Sequence, residues 1–238
     1  MQETLAAEAA ARGIALTPAQ LAQFETYYHE LVAWNSRFNL TRITDYEAVS
    51  VGHFLDSLVP LALCPDAFPD GARVVDVGSG AGLPGVALKI ARPDLRLTLT
   101  DAVGKKVRFL DHLVGRLALA DATAMHARAE DMGQAEAYRA AFDVAVARAV
   151  ADMAVLAEYL LPLVRVGGVV IAQKGSRVEA EVEGAQAAIK TLGGLAPRLA
   201  EYSLPGLDAP RSLVIIGKTR PTPAAYPRRA GLPSQAPL

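Results

Sequence analysis

The chain has one cysteine, Cys64, and one tryptophan, Trp34, in 238 residues. A lone thiol excludes an intrachain disulfide and suits a reducing compartment. No stretch of roughly 18 residues is free of charge, which leaves no candidate membrane span. The first residues are acidic and alanine-rich and lack the basic head and apolar plug of a signal peptide, so the expected location is the cytoplasm. A large excess of either charge is missing too, because the net charge is −1. That excludes a protein that holds a polyanion by bulk charge alone, but a local basic surface can still do so. What remains is 52% hydrophobic and 21% charged, the balance of an α/β core long enough for one large domain with an extension.

The first 65 residues read as helical. Thr17 caps a helix, Pro18 suits its first turn, and Gln20 stands at the capping-box position. Leu21, Phe24, Tyr28 and Leu31 recur at helical spacing. Residues 35–44 read as a loop, and Asp45 as the cap of a second helix ending near Val59. From Arg73 the pattern changes to short apolar runs alternating with helices. Strands are predicted at 73–77, 95–100, 123–127, 142–147, 167–173, 199–204 and 212–218, with helices at 83–91, 104–117, 151–163 and 177–192. This is a doubly wound α/β pattern. The expected division is a helical cap over 1–65, an α/β domain over 66–218 and a basic, proline-rich tail over 219–238. Prolines at 221, 223, 227, 233 and 237 predict an extended tail with little regular structure.

The chemistry concentrates after the first strand. Asp76 ends an apolar run, and Gly78, Gly80, Gly82 and Gly85 follow within nine residues. Glycines there let the backbone turn and let a ligand approach without a Cβ in the way. Asp101 ends the next apolar run, where a carboxylate can accept from both hydroxyls of a ribose. After the third strand, Glu130 can accept from an adenine amino group, with the neighbouring Ala129 backbone beside it. Gly80-Ala-Gly82-Leu-Pro-Gly85 also fits the dinucleotide spacing, so two cofactors compete. Asp76 can face the ammonium of S-adenosylmethionine, and would sit poorly beside the pyrophosphate of a nicotinamide dinucleotide. A capping role for Asp76 is the structural alternative.

Basic residues gather in two places. Lys105, Lys106 and Arg108 open the helix after Asp101, where the helix dipole disfavours them and a phosphate would offset the misfit. Five more, with no acidic residue, lie between Pro210 and Leu238. On charge alone, a solubilising tail and helix surface is the favoured explanation of both groups.

These features together resemble a known family, the bacterial 16S ribosomal RNA guanine-N7 methyltransferases, or glucose-inhibited division protein B family. The resemblance spans nearly the whole chain. It rests on Asn39-Leu-Thr41 with Ile43, His53-Phe-Leu-Asp56-Ser57-Leu58, and Asp76-Val-Gly78-Ser79-Gly80-Ala-Gly82-Leu83-Pro84-Gly85. It continues through Asp101 with Lys105-Lys106-Val-Arg108-Phe109-Leu110, Arg128-Ala129-Glu130, Arg148-Ala149, Lys174-Gly175 and Tyr226-Pro-Arg228-Arg229-Ala-Gly231-Leu-Pro233. It implies a Rossmann-like S-adenosylmethionine-dependent methyltransferase fold, a mostly parallel seven-stranded sheet with the last two strands antiparallel, and an N-terminal helical extension. The implied acceptor is N7 of a guanosine in the 530 loop of 16S ribosomal RNA, within a small ribosomal subunit or its precursor. The protein is expected to act as a monomer.

Guanine N7 carries a lone pair and no proton, so transfer needs no general base, and catalysis rests on alignment and electrostatics. Arg148, at the carboxyl end of the fourth strand, is the first pocket candidate, with a salt bridge to a helix end as the alternative. Asn39, His53 and Asp56 either line the pocket or anchor the cap to the core. His53 and Asp56 lack a third ligand at persuasive spacing, so no metal is expected. The expected donor site is Asp76, Gly78, Ser79, Gly80, Gly82, Leu83, Pro84, Asp101, Ala129, Glu130 and Arg148. The expected RNA surface is Lys105, Lys106, Arg108, Lys174, Arg211, Arg228 and Arg229. A nicotinamide-dependent oxidoreductase and a non-catalytic RNA-binding assembly protein are the competing readings.

Overall fold

The structure, a computed structural model, describes residues 2–238. Strands β1 (Arg73–Val77), β2 (Arg96–Asp101), β3 (Ala122–His126), β4 (Phe142–Arg148), β5 (Val164–Lys174), β6 (Arg198–Tyr202) and β7 (Arg211–Gly217) form one sheet in the order β3-β2-β1-β4-β5-β7-β6. The first five are parallel, and β7 is antiparallel to both β5 and β6. Only β7 therefore runs against the rest. β6 is antiparallel to β7 and so regains the common direction, a refinement of the expected antiparallel last pair. β5 begins earlier than expected. Gly167 and Gly168 lie inside it, where its register against β4 shifts near Phe142 and Val144. A Cβ on Gly168 would stand 2.5 Å from the Asp143 carbonyl oxygen, so the bulge requires glycine there.

The period of two along each strand divides the core into two layers. Val74, Val144 and Val146 face one side, and Val75, Ala145 and Ala147 face the other. The first side packs against α1 (Gln2–Ala10), α2 (Pro18–Phe38), α4 (Asp56–Leu63), α5 (Gly85–Ala91) and α6 (Gly104–Arg116). The second packs against α7 (Ala129–Gln134), α8 (Met153–Leu160) and α9 (Glu179–Thr191). The N-terminal helices thus share one apolar core with the sheet, through Leu5, Phe24, Tyr27, Leu31, Phe54 and Leu58. Burying each such side chain contributes about 1.5–3 kcal/mol.

The capping box at Thr17 and Gln20 forms as its spacing requires. The Gln20 amide also donates to the carbonyls of Ile90 and Ala91, at 2.7 and 3.1 Å, and so caps the end of α5. The buried stripe of α2 is Phe24, Tyr27 and Leu31. Tyr28 lies to its side and stacks edge-on against Tyr46. Asp45 accepts from the N–H groups of Glu47 and Ala48 and starts α3 (Tyr46–Val49). The helical path then widens into a π-helical stretch, Ser50–Leu55, and continues as α4, four residues beyond the expected end. Such widened turns concentrate at functional sites.

The tail from 219 is docked, and it ends in a short helix, α10 (Leu232–Gln235). Proline removes backbone donors, so side chains of the α/β body meet the tail's carbonyls instead. Arg139 donates to Thr222, Pro223 and Tyr226, and Gln134 to Pro227. No helix of the described residues is long and apolar enough to cross a membrane.

Candidate active site

The strand order reverses between β1 and β4, the position where open α/β sheets bind ligands beyond their carboxyl ends. Two neighbouring cavities open there. The smaller, about 130 Å³, is lined by Gly78, Asp101, Ala129, Glu130, Val150 and Tyr159, among others. The larger, about 480 Å³, is lined by His53, Asp56, Arg148, Gln173, Tyr202 and Arg211, among others.

The glycine turn begins in the wall of the smaller cavity, at Gly78. Gly78, Gly80 and Gly82 have φ of 70°, 57° and 91°, values that favour glycine. Ser79 pins the turn to both strands. Its N–H donates to the Thr100 carbonyl at 2.9 Å, and its hydroxyl to the Asp76 carbonyl at 2.8 Å. Tyr27 of α2 donates its hydroxyl to the Ala81 carbonyl at 2.6 Å. Leu83 donates its N–H to the Ser79 carbonyl, and Pro84 precedes α5 as its cap. Asp76 is fully buried and accepts from the Gly85 N–H at 2.8 Å. A Cβ on Gly85 would meet that carboxylate at 2.7 Å. Asp76 therefore does stiffen the turn, yet its Oδ1 has no partner. Burial pushes its pKa up to about 7, against the lowering effects of the Gly85 N–H and Arg148.

Asp101 lies at the tip of β2 and is 5% exposed. It accepts from Gly80 N–H at 3.1 Å, Val103 N–H at 2.8 Å and the Lys106 ammonium at 3.4 Å. A carboxylate has about four acceptor positions, so capacity for a diol remains. Glu130 accepts from the Gly231 N–H of the tail at 2.9 Å with Oε1. Two carboxylates, Asp101 and Glu130, thus line the crevice beside Gly78, and a third, Asp76, lies buried behind the glycine turn with an unpartnered oxygen. This set fits the cationic S-adenosylmethionine and not a pyrophosphate.

The larger cavity is built around Asp56, which is fully buried. Its Oδ2 accepts from Arg148 at 2.9 Å and Arg211 at 2.6 Å, and its Oδ1 from the Tyr202 hydroxyl at 2.7 Å. Its backbone carbonyl is free because Pro60, four residues on, has no N–H to give. The Gln173 amide takes that carbonyl at 2.7 Å. Arg148 also donates to the Gly52 carbonyl, inside the π-helical stretch, at 3.2 Å. His53 Nδ1 lies 3.0 Å from the same carbonyl and Nε2 lies 2.7 Å from the Thr41 hydroxyl. Burial first, and then the Arg148 charge, lower the His53 pKa to about 4, so the ring is neutral at pH 7. Two guanidinium groups on one carboxylate leave this chamber a positive excess. Lys174 adds no free charge, since it pairs with Glu181 at 2.6 Å.

The structure therefore brings Arg148, His53 and Asp56 together, and makes Arg148 a salt-bridged residue as well as a cavity wall. Asn39 stands apart from them: it is exposed, lines neither cavity, and ends α2 with a left-handed φ of 50°. Of the basic set, Lys105, Arg108 and Arg229 are exposed. Arg228 departs most from its expected surface role. It is turned inward onto the fully buried Glu158, with Nη2 to Oε2 at 2.6 Å. An uncompensated Glu158 would be costly inside the protein, and Arg228 supplies its countercharge. Tyr27, Gln173, Tyr202 and Thr41 were not singled out by sequence reading as site residues. Gln173 adjoins the Lys174-Gly175 motif and Tyr27 lies on the α2 stripe, but Tyr202 carries no sequence signal. Among the described residues, no group of His, Cys, Asp and Glu is arranged to hold a metal ion.

This sheet order and acidic, glycine-lined crevice define a Rossmann-like S-adenosylmethionine-dependent methyltransferase. Solved structures agree on the fold. The chain superposes on a SAM-dependent methyltransferase from Aquifex aeolicus with a TM-score of 0.53, at 13% identity, over 75% of this chain and 96% of that one. It matches TrmN from Thermus thermophilus with a TM-score of 0.50, at 19% identity, over 68% and 48% of the respective chains. The sequence is more specific: the chain belongs to the GidB family, rRNA small subunit methyltransferase G, whose model matches residues 20–204. It is 48% identical over 231 residues to the ribosomal RNA small subunit methyltransferase G of Roseiflexus sp. (strain RS-1), covering 97% of each. The protein of that name from Lactobacillus johnsonii (strain CNCM I-12250 / La1 / NCC 533) is 45% identical over 236 residues, covering 99% of each.

Proposed function

We propose that this enzyme transfers the methyl group of S-adenosylmethionine to N7 of a guanosine in the 530 loop of 16S ribosomal RNA. We place it in the cytoplasm, acting as a monomer on a small ribosomal subunit or its precursor. The observation that carries this reading is the juxtaposition of an acidic crevice with a cationic chamber beyond the carboxyl ends of the parallel strands. The first suits the adenosyl donor, and the second suits an electron-rich base with its phosphates.

When bound, the donor supplies an activated methyl on a sulfonium. The chain supplies position. In this reading Asp101 and Glu130 hold the ribose and adenine, and Asp76, once ionised opposite the donor's positive charge, supplies a negative charge beneath the glycine turn. Arg148 is fixed by Asp56 and Gly52 through Nη1, and its Nη2 lies 3.4 Å from His53 Nδ1; in this reading a single remaining N–H reaches O6 or a phosphate without two-pronged capture of N7. His53, neutral at pH 7, puts no further charge beside a base that becomes cationic. In this reading the exposed Lys105, Arg108 and Arg229 meet the phosphate backbone, which positions RNA without reading its sequence.

The test is methyl transfer from labelled donor to small subunits, precursor particles and naked 16S RNA, with the product mapped by chain cleavage at 7-methylguanosine. A single modified guanosine in the 530 loop is expected. Label elsewhere, or on a different base atom, overturns the assignment.

A further inference from the structure

We propose that the C-terminal segment 226–235 is a clamp that positions the Glu130 carboxylate at the adenosyl end of the donor crevice, with Arg228 and Gly231 as its positioning residues. This rests on reading that crevice as the donor site.

Glu130 belongs to α7, a helix of six residues whose N-terminus has no side-chain cap. A helix this short has little stability of its own. The tail holds it at both ends. At its start, Gly231 N–H donates to Glu130 Oε1 at 2.9 Å. At its finish, Gln134 donates to the Pro227 carbonyl at 2.6 Å, and Arg139 ties the Gly133 carbonyl to those of Tyr226 and Thr222. The fit is close, since a Cβ on Gly133 would stand 2.6 Å from Pro227 Cγ.

The tail is anchored between these contacts. Glu158, fully buried in α8, accepts the Arg228 backbone N–H at 2.7 Å, Nε at 2.9 Å and 3.1 Å, and Nη2 at 2.6 Å. Three residues later the chain turns at Gly231 with φ +85°. That turn aims its N–H at Glu130. Glu130 is 4% exposed and lines the crevice, and its Oε2 accepts no hydrogen bond within the described residues. One oxygen is thus occupied by the tail, and the other remains for the donor's adenine amino group. Without the tail the carboxylate loses its hydrogen-bond partner among the described residues, and α7 keeps its core packing through Ala129 and Met132 but loses the hydrogen bonds at both of its ends.

Calorimetry with S-adenosylhomocysteine on the full-length protein tests this. Losing one well-placed charged hydrogen bond predicts that Arg228→Ala weakens binding about tenfold or more. The donor KM rises in parallel, while kcat at saturating donor and KM for RNA stay unchanged. Arg228→Lys recovers part of the loss. In Arg228→Ala/Glu130→Ala, binding is no weaker than in Glu130→Ala alone, because both act through one carboxylate. If Arg228→Ala does not fold, Gly231→Ala, which strains the turn and leaves the Glu158 pair, must give the same donor-specific loss. The clamp is overturned if a folded variant binds as tightly as wild type, if the two losses multiply, or if only the RNA KM rises. A wild-type protein that does not bind S-adenosylhomocysteine overturns the donor-site reading itself.

Discussion

The glycine turn between β1 and α5 is held mostly by contacts made to its own backbone N–H and C=O groups, whereas the chamber at the ends of β4 and β5 is held by pairing of ionised side chains. Most of the turn's contacts close within residues 76–85, and its distant partners are Asp101 and Thr100 from the adjacent strand β2 and the Tyr27 hydroxyl from α2. The chamber joins Asp56 to Arg148, 92 residues away, and to Arg211, 155 residues away. A backbone-built site tolerates exchange of most surface side chains but not added bulk at its glycines. A charge-built site tolerates bulk better than the loss of one partner, because the charges left behind are buried.

The sharpest way to break this comparison is Asp56→Ala. It strands Arg148 and Arg211 against each other, and removing one partner of a buried ion pair costs about 3–5 kcal/mol. The urea midpoint should drop accordingly, and methyl transfer should be lost. Below that midpoint, S-adenosylhomocysteine affinity should survive. Equal loss of donor binding would mean that the two cavities are one cooperative unit.

A smaller effect separates them by pH. Asp76 titrates near 3.8 when exposed and near 7 in the folded protein. Its burial therefore favours the folded state most below the first value, and that contribution is lost as pH rises toward the second. A cationic donor favours the ionised carboxylate, so its affinity should rise with pH up to about 7 and then level off, with proton release on binding. Asp76→Asn should flatten the profile. His53 acts in the opposite sense: its folded pKa of about 4 lies below its ordinary 6.5, so its contribution to stability is present above 6.5 and lost as pH falls toward 4. A donor-affinity profile that stays flat across pH 5–8 in the wild type would remove Asp76 from the donor site.

The smallest expected effect is that of Tyr202→Phe. It deletes one donor to Asp56 Oδ1 while both arginines remain, for about 1–2 kcal/mol. The change should appear in stability and in the RNA KM, with donor affinity untouched. An unchanged RNA KM would show that Tyr202 supports the fold without shaping the acceptor pocket.

Much of the fold was legible because its signals are short-range. Thr17 with Gln20, the alternation along β1 and β4, and the glycines after Asp76 each act within a few residues of themselves. The π-helical stretch was not legible, since Ser50–Leu55 reads as ordinary helix and its widened turn matters only through what Gly52 meets. The docking of the tail was hidden for a related reason. Its prolines announce an extended chain, but not the Arg139 and Gln134 side chains that satisfy its carbonyls. Arg228 and Arg229 are adjacent and chemically identical, yet one is half-buried against Glu158 and the other is exposed.

By itself the sequence determined the glycine turn, the carboxylate at its neighbouring strand end and the family to which the chain belongs, because dihedral preference and short-range spacing are encoded residue by residue. Only the tertiary structure decided the partners of Asp56, the engagement of Glu130 by Gly231 and the fate of each arginine. Those depend on which side chains arrive at the same few ångströms from distant parts of the chain, and on the high cost of a buried charge that arrives without its partner.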